Sequence, residues 1–389
     1  MSARRHHQAI LSLVLLAAPL AAHADVRYTV IPIGPGGSMP TAINSSGQIV
    51  GSFTAGDATH AFLYSGARFV DLGTLGGTYG IARGINDAGT VVGASSDVAG
   101  NTRAFVYANG TMTDIGTLGG NNSSAAAINN KGQVAGVADG PGGSYAFLYT
   151  PGAGMLNLGT LPDGDFSRAE GINDAGVVVG GSLTGPSPLP LFHAFMYEGG
   201  AMTDLGSLTG AFSVARAINE SGVVVGWSNA GLNIDHAFLY SAGVMTDLGT
   251  LTGQGSSVAY GINNAGQVVG TSEVANRESR AILYEDGAMV DLDMLLDPAS
   301  GWTLQAAYAI NDMQQIAAYG CNRDACQALL LDPVSQVPEP PTDAMLLAGL
   351  ALLGCSLRGK GRPSPPASRA LNEMDTGAAS SGSPGSCRA

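Results

Sequence analysis

A ten-residue segment, GINDAGTVVG, occupies residues 84–93, and a close copy, GINDAGVVVG, occupies residues 171–180. Alignment of the chain on this segment places seven asparagines in equivalent positions: Asn44, Asn86, Asn129, Asn173, Asn219, Asn263 and Asn311. Their spacings are 42, 43, 44, 46, 44 and 48 residues. A period of this length with short strands inside it is typical of a propeller or another β-repeat architecture. The chain is therefore expected to be a set of near-equivalent β units.

Each repeat has the pattern of four short strands. In the second repeat these are residues 81–86, 90–95, 104–107 and 112–116, separated by the turn sequences Asn-Asp-Ala-Gly and Ala-Asn-Gly-Thr. Only 12% of residues are charged and 57 are glycine, which favours strands and turns over amphipathic helices. We predict an all-β fold, a seven-bladed β-propeller of four-stranded blades with repeats of about 44 residues, over residues 25–333.

The recurrent residues have structural interpretations. Asn86 can close an Asx-turn with its side chain, and Gly89 can adopt the positive φ of a tight hairpin. Gly93 is expected to let a neighbouring sheet approach closely. Large side chains between blades are expected from the recurrent phenylalanines, Phe62, Phe105, Phe147, Phe195 and Phe238.

Closure of the ring depends on which loop crosses between blades. If the crossing loop is the constant one after Asp-Leu-Gly, the N-terminal strand at residues 27–33 completes the last blade. If the variable loop crosses instead, the terminal strand at residues 328–332 closes the ring. Both alternatives pair the N- and C-terminal strands, which removes exposed sheet edges.

The N-terminal 24 residues have the pattern of a secretory signal peptide. A basic head with Arg4 and Arg5 precedes an apolar run over residues 9–20. The small residues Ala22 and Ala24 then predict cleavage before Asp25. We therefore expect the Sec machinery to export the chain.

The C-terminal region has the pattern of a sorting signal. A linker over residues 334–343 contains Val337, Pro338, Glu339 and Pro340. The apolar segment 344–357 follows, short of the ~20 residues that span a bilayer comfortably, and we predict a short transmembrane helix there. The basic residues Arg358, Lys360 and Arg362 would hold it transiently in the membrane, ahead of a disordered tail to residue 389.

This order of motifs resembles the PEP-CTERM sorting signal of Gram-negative bacteria that produce exopolysaccharide. The resemblance implies processing by an exosortase, a membrane cysteine protease, and release to the cell surface or matrix. The repeats resemble the extracellular repeats named HAF, through HAFLY at residues 60–64 and 236–240 and DLGTLGG at residues 71–77. That family is characterised by its repeat and surface location, so the resemblance implies no reaction.

Charge narrows the possible partners. Residues 25–342 contain ten basic and 27 acidic side chains, a net charge of −17. Such a surface repels polyanions, which excludes nucleic acid as an expected partner. Neutral glycans, cations and basic partners are compatible with it.

Few residues suggest a reactive centre. Cys321 and Cys326 could form a disulfide across the last hairpin of an exported protein. His60, His193 and His236 precede Ala-Phe in three repeats, and a strand start is favoured over a metal site there. Turn aspartates at 87, 174 and 312 make calcium the one candidate cofactor; otherwise none is expected.

We therefore expect a non-catalytic, surface-located protein that binds or organises exopolysaccharide of a biofilm matrix, or another surface protein. Two alternatives stay open. One is an envelope glycan-processing propeller enzyme, which would need a pair of acidic residues at the centre of the ring. The other is a structural matrix scaffold without a discrete ligand.

Overall fold

A computed structural model describes residues 27–185 and 191–334. These segments contain 28 β-strands and three short 3-10 helices at Ala275–Arg277, Leu292–Leu295 and Pro298–Ser300. These described residues belong to one compact unit. The all-β prediction is confirmed.

The strands form groups of four, numbered here along the chain. The first strand of each group ends just before a recurrent asparagine: β2 (Met39–Ile43), β6 (Gly76–Ile85), β10 (Ser123–Ile128), β14 (Ser167–Ile172), β18 (Ser213–Ile218), β22 (Ser257–Ile262) and β26 (Thr303–Ile310). The second strands are β3 (Ile49–Ala55), β7 (Val91–Asp97), β11 (Val134–Gly140), β15 (Val178–Thr184), β19 (Val224–Gly231), β23 (Val268–Glu273) and β27 (Ile316–Cys321). The third are β4 (Ala58–Ser65), β8 (Thr102–Ala108), β12 (Gly143–Thr150), β16 (Leu191–Glu198), β20 (Ile234–Ser241), β24 (Ser279–Glu285) and β28 (Cys326–Pro333). The fourth are β5 (Arg68–Gly73), β9 (Thr111–Asp114), β13 (Gly154–Asn157), β17 (Ala201–Gly206), β21 (Val244–Asp247), β25 (Ala288–Asp291) and, from the N-terminus, β1 (Tyr28–Pro32).

Within each group the strands pair antiparallel in order, as in β10-β11-β12-β13. A single parallel contact between Thr59 and Tyr79 joins the first two groups into one eight-stranded sheet. In the last group β1 pairs with β28, with Tyr28 opposite Pro333 and Pro32 opposite Leu329. The N-terminal strand therefore completes the last group, and the loop after the fourth strand leads to the next group. This grouping is the one expected if the constant loop after Asp-Leu-Gly crosses between blades.

The hairpin between the first and second strands is built by the recurrent turn. In the second repeat, Asn86 N–H donates to the Thr90 carbonyl at 3.1 Å, and Gly89 N–H donates to the Asn86 carbonyl at 3.0 Å. Gly89 has a φ of 78°, the left-handed conformation expected from the sequence. The turn therefore begins with an asparagine that is present in all seven repeats and ends with a glycine that is present in six, with Gln314 in its place in the seventh.

The core lies between neighbouring groups. Phe105 of the second group is fully buried against Val50 and Ala61 of the first. Phe147 of the third group packs in the same way on Val92 and Ala104 of the second. The prediction that these phenylalanines lie between sheets is confirmed, and each sheet is stabilised by burying apolar surface against the next.

The interpretation of Gly93 was wrong. A Cβ at this position would collide with the Ile81 carbonyl oxygen and lie 2.9 Å from Ala82 Cα, both in the adjacent strand of the same sheet. The cause is a register shift in β6 between Ala82 and Gly84, which brings that strand's backbone over residue 93. The recurrent glycine therefore accommodates a bulge within its own sheet.

Replacing Gly93 tests this explanation. We expect Gly93→Ala to lower the free energy of unfolding by about 1–3 kcal/mol, because the backbone must move to admit the methyl group. Denaturant unfolding of the purified protein measures this. Gly231→Ala is the matched control, since a Cβ there meets nothing closer than 3.9 Å. Equal stability of the two variants would contradict the bulge explanation.

Candidate functional site

The recurrent asparagines form a ring of hydrogen bonds, here called the asparagine ring. In each turn the side-chain oxygen accepts from backbone N–H groups of its own hairpin, as Asn129 Oδ1 does from Lys131 at 3.1 Å and Gln133 at 2.9 Å. The side-chain Nδ2 donates to the backbone carbonyl of the asparagine in the next repeat, as Asn129 does to Asn173 at 3.0 Å. The predicted Asx-turn residues thus also connect neighbouring sheets.

The inter-repeat bonds run through the whole described repeat region and return to their origin. They link Asn44, Asn86, Asn129, Asn173, Asn219, Asn263 and Asn311 in order at 2.9–3.2 Å, and Asn311 Nδ2 donates to the Asn44 carbonyl at 2.9 Å. All seven asparagines are buried. The circuit surrounds a central cavity of about 200 Å³.

The residues after the ring asparagines line the turn side of this cavity: Ser45, Asp87, Asn130, Asp174, Glu220, Asn264 and Asp312. All of these side chains except that of Ser45 accept from the backbone of the preceding repeat; Asp87 Oδ1, for example, accepts from Ser45 N–H at 2.9 Å. Burial opposes ionisation of Asp87, but hydrogen bonds from Ser45 and Asn130 outweigh it and lower its pKa. The four carboxylates on the turn side of the cavity therefore already accept hydrogen bonds between repeats.

Calcium was the one cofactor that the sequence suggested, at aspartates that lie on the turn side of this cavity. Asp87, Asp174 and Asp312, which stand in separate turns of the sequence, all line the same cavity. Among the side chains that the structure describes, no group of three or more His, Cys, Asp or Glu is arranged to hold a metal ion. Calcium binding stays a prediction.

A collar of isoleucines separates the turn side from a second cavity. The collar consists of the residues before the ring asparagines, which line both spaces: Ile43, Ile85, Ile128, Ile172, Ile218, Ile262 and Ile310. Beyond it, a cavity of about 230 Å³ is lined by one residue from each repeat: Thr41, Arg83, Ala126, Glu170, Arg216, Tyr260 and Tyr308. These seven, called the variable ring below, stand three places before each ring asparagine.

Tyrosines form one side of the variable ring. The rings of Tyr260 and Tyr308 lie 5.2 Å apart between centroids and are tilted by 34°. Burial, together with the nearby phenols of Tyr260 and Tyr319, raises the pKa of Tyr308 to about 12. Burial likewise raises the pKa of Tyr260. Both hydroxyl groups therefore stay protonated at neutral pH and can donate hydrogen bonds.

Charged groups form the adjacent side. Glu170 lies between two guanidinium groups, at 3.1 Å from Arg168 Nε and 3.3 Å from Arg216 Nη1. Arg216 Nε is buried and has no hydrogen-bond partner among the described residues. Arg83 is exposed on the other side of Ala126, and it has no ion-pair partner in the described part of the chain. The variable ring thus has two guanidinium groups and one carboxylate.

Sequence reasoning missed the variable ring because it concentrated on the residues that recur. The useful signal was the opposite one, a position at which the repeats differ in size, charge and aromatic character while their neighbours do not. The seven residues that stand three places before each ring asparagine face a common axis only when the sheets are arranged around that axis. Their convergence therefore required the tertiary structure.

A larger cavity of about 800 Å³ lies among loops of the fifth and sixth repeats. Its polar side chains include Glu273, whose carboxylate already accepts from Ser256 N–H at 3.1 Å. This space gathers residues from two repeats, whereas the variable ring gathers one from each of seven. We therefore take the variable ring as the candidate site.

The histidines that precede Ala-Phe are held within their own sheets. Nδ1 of His60, His193 and His236 lies 2.8–2.9 Å from a carboxylate oxygen of Asp71, Asp204 and Asp247, respectively. Each aspartate also accepts from the glycine of its Asp-Leu-Gly segment, as Asp71 does from Gly73 at 2.8 Å. The pairing explains why the His-Ala-Phe and Asp-Leu-Gly segments occur together.

Cys321 and Cys326 form a disulfide that links β27 to β28. The remaining sequence-predicted sites lie outside the described residues: the cleavage residues Ala22, Ala24 and Asp25, the motif Val337, Pro338, Glu339 and Pro340, the segment 344–357 and the cluster Arg358, Lys360 and Arg362. Within residues 27–185 and 191–334, no helix has the length and apolar character needed to cross a bilayer.

Residues 336–362 match the PEP-CTERM protein-sorting motif. The match indicates that the chain is exported, sorted to the cell surface and processed by exosortase at the membrane. The sequence-based prediction of this signal is confirmed. A sequence comparison with curated proteins gives no match.

Several solved structures resemble the chain at low identity. A puromycin-hydrolyzing peptidase of Mycobacterium tuberculosis has 12% identity and a TM-score of 0.49, over 82% of this chain and 55% of that one. The gluconolactonase XC5397 of Xanthomonas campestris has 12% identity and a TM-score of 0.39, over 78% and 100%. TolB of Acinetobacter baumannii has 15% identity and a TM-score of 0.39, over 56% and 52%. The chain thus spans about half the length of the peptidase and TolB structures, and at these values no activity, ligand or partner carries over to it.

Proposed function

We propose that this chain is a non-catalytic HAF-repeat protein, a closed seven-bladed β-propeller that is sorted to the surface of a Gram-negative cell. Its transient inner-membrane anchor is the apolar segment 344–357, which exosortase processes after Sec export. At the surface it binds or organises exopolysaccharide of the matrix, or another surface protein.

The variable ring is the observation that supports binding. Contacts between neighbouring repeats use similar residues throughout: the ring asparagine is the same in all seven repeats, and the core position of Phe105 is always a large apolar residue. At the variable ring the repeats diverge into Thr, Arg, Ala, Glu, Arg, Tyr and Tyr around one cavity. A concave site with aromatic walls and a few convergent polar groups has the usual composition of a ligand site.

The same ring favours binding over glycan hydrolysis. Glycoside hydrolysis commonly uses two carboxyl groups about 5–10 Å apart, one of them protonated. The variable ring contributes one carboxylate, Glu170, which is already paired with two guanidinium groups. The enzyme stays the second candidate.

Retention of the full chain on immobilised exopolysaccharide tests the proposal, with and without calcium. We expect retention of the protein without release of reducing sugar ends. Sugar release would instead support the glycan-processing enzyme. Failure to bind either exopolysaccharide or any other component of the cell surface would contradict the binding function. Loss of retention in chelator would assign the turn-side aspartates to calcium.

A further inference from the structure

The variable ring differs in charge from the rest of the repeat region. Residues 25–342 have a net charge of −17, whereas this ring has two arginines and one glutamate. The carboxylates of the turn side lie beyond the isoleucine collar and line the other cavity. An anionic group at the variable ring therefore meets a locally positive mouth.

The two arginines are not equivalent. Arg216 is half-buried and lies beside Glu170, so part of its charge is neutralised within the protein. Arg83 lies between the small side chains of Thr41 and Ala126 and has no ion-pair partner among the described residues. Its planar guanidinium can therefore donate two parallel hydrogen bonds to an incoming carboxylate or ester oxyanion.

The tyrosine pair, separated from Arg83 by Thr41 in the variable ring, provides a surface of a different kind. Tyrosine combines an apolar ring face with a hydroxyl that finds a polar partner, so it suits ligands with both C–H and O–H groups. The hydroxyl groups stay protonated, and Arg216 Nε is a further buried donor without a partner in the described residues. A sugar ring offers acceptor oxygens for these donors and C–H groups for the aromatic faces.

Size limits how much of a ligand can enter. The cavity measures about 230 Å³, below the ~300–1,000 Å³ of sites that enclose a drug-sized ligand. It therefore accommodates a single small group rather than several linked sugars. An end or a side branch of a polysaccharide fits this limit better than the middle of a chain.

From these features we infer that the variable ring binds one anionic sugar residue of a polysaccharide, with Arg83 on the acid group and Tyr260 and Tyr308 against the sugar ring. This inference rests on the proposed function and specifies its ligand. A carboxylate and a sulfate ester present the same chemistry to Arg83, and the experiment below distinguishes them.

The test measures the affinity of the full chain for three probes: a short oligogalacturonate, a dextran sulfate oligomer and a neutral dextran oligomer. We expect at least one of the two anionic probes to bind ten-fold or more tightly than neutral dextran. The tighter of the two anionic probes identifies the acid group. Equal affinity for neutral dextran would overturn the inference.

Variants of Arg83 locate the site. We expect Arg83→Gln to weaken binding of the preferred anionic probe by ten-fold or more, and Arg83→Lys to weaken it less, because lysine keeps the charge but loses the bidentate geometry. Arg68→Gln is the matched control, since Arg68 is exposed on the outer strand β5 and undergoes the same charge change. Equal binding by Arg83→Gln and Arg68→Gln would overturn the assignment.

The two proposals fail in different ways. If the protein is retained on exopolysaccharide but the Arg83 variants are retained equally, the site assignment is wrong and the binding function stands. If the wild-type chain is retained on no polysaccharide and captures no surface protein, the binding function itself is wrong.

Discussion

Replacing Tyr28 by alanine is expected to lower the free energy of unfolding by about 3–5 kcal/mol, the usual cost of removing a buried aromatic side chain. Tyr28 is 1% exposed and lies in β1, the N-terminal strand that completes the last sheet. Its ring belongs to a core that includes Leu283 of β24 and Leu331 of β28. The residue therefore links the N-terminus to both the sixth and the seventh repeats.

Further contacts show that β1 is held at both sides. Arg27 N–H donates to the Leu295 carbonyl at 2.9 Å, and the Arg27 carbonyl accepts from Val334 N–H at 2.8 Å. The Arg27 guanidinium also forms an ion pair with Glu285. Loss of the Tyr28 ring would leave a cavity beside these hydrogen bonds. The pairing of β1 with β28 is therefore expected to be destabilised before the other sheets.

Tyr28→Phe is the control for this prediction. The Tyr28 hydroxyl is buried and has no hydrogen-bond partner among the described residues. Burial without a partner destabilises a hydroxyl group, so its removal should leave stability unchanged or raise it. Urea unfolding of the three proteins measures the difference. Equal stability of Tyr28→Ala and Tyr28→Phe would mean that β1 does not close the ring.

Replacing Asn129 by alanine is expected to cost about 2–4 kcal/mol, because buried backbone groups on both sides would lose their partners. Asn129 is 4% exposed, and its side chain accepts from Lys131 and Gln133 and donates to Gln133 and Asn173. Asn129→Asp keeps the acceptor but places a carboxylate against the Asn173 carbonyl. We therefore expect this variant to be destabilised as well, most strongly above the carboxyl pKa.

Asn130 provides the matched control one residue farther on. It is exposed and bonds to Asp87 and Asp174 at the turn-side mouth. Exposed hydrogen bonds contribute little because water replaces them, so Asn130→Ala should cost less than about 1 kcal/mol. Thermal and urea unfolding of the two variants would separate the ring from the surface network. Similar losses would show that the asparagine ring has no special role in joining the sheets.

The periodic features of this fold could be predicted from sequence because each depends on neighbours within one repeat. The positive φ of Gly89 and the turn at Asn86 belong to a single hairpin, and local turn chemistry determines them. The inter-sheet position of Phe105 was predicted from the recurrence of a phenylalanine in equivalent places of the repeats, and its burial against the first group agrees with it. The sorting motif at residues 336–362 is likewise a local pattern.

Gly93 shows where this reasoning fails. Its recurrence indicated a close approach, but the approaching atom could come from any neighbouring strand. The register shift between Ala82 and Gly84 depends on how β6 pairs with β7, and no residue type in the sequence predicts it. The partner of a close contact is therefore a property of strand register.

The sequence by itself determined the repeat, the strand and turn chemistry of each unit, the sorting signal and the candidate disulfide partners, because these depend on residues near one another along the chain. Only the tertiary structure decided that Asn311 donates to Asn44 across the whole repeat region, and that Arg83, Glu170 and Tyr308 line one cavity. The reason is geometric. Residues that are ~44 apart in sequence meet at a common axis only after every sheet has packed against the next.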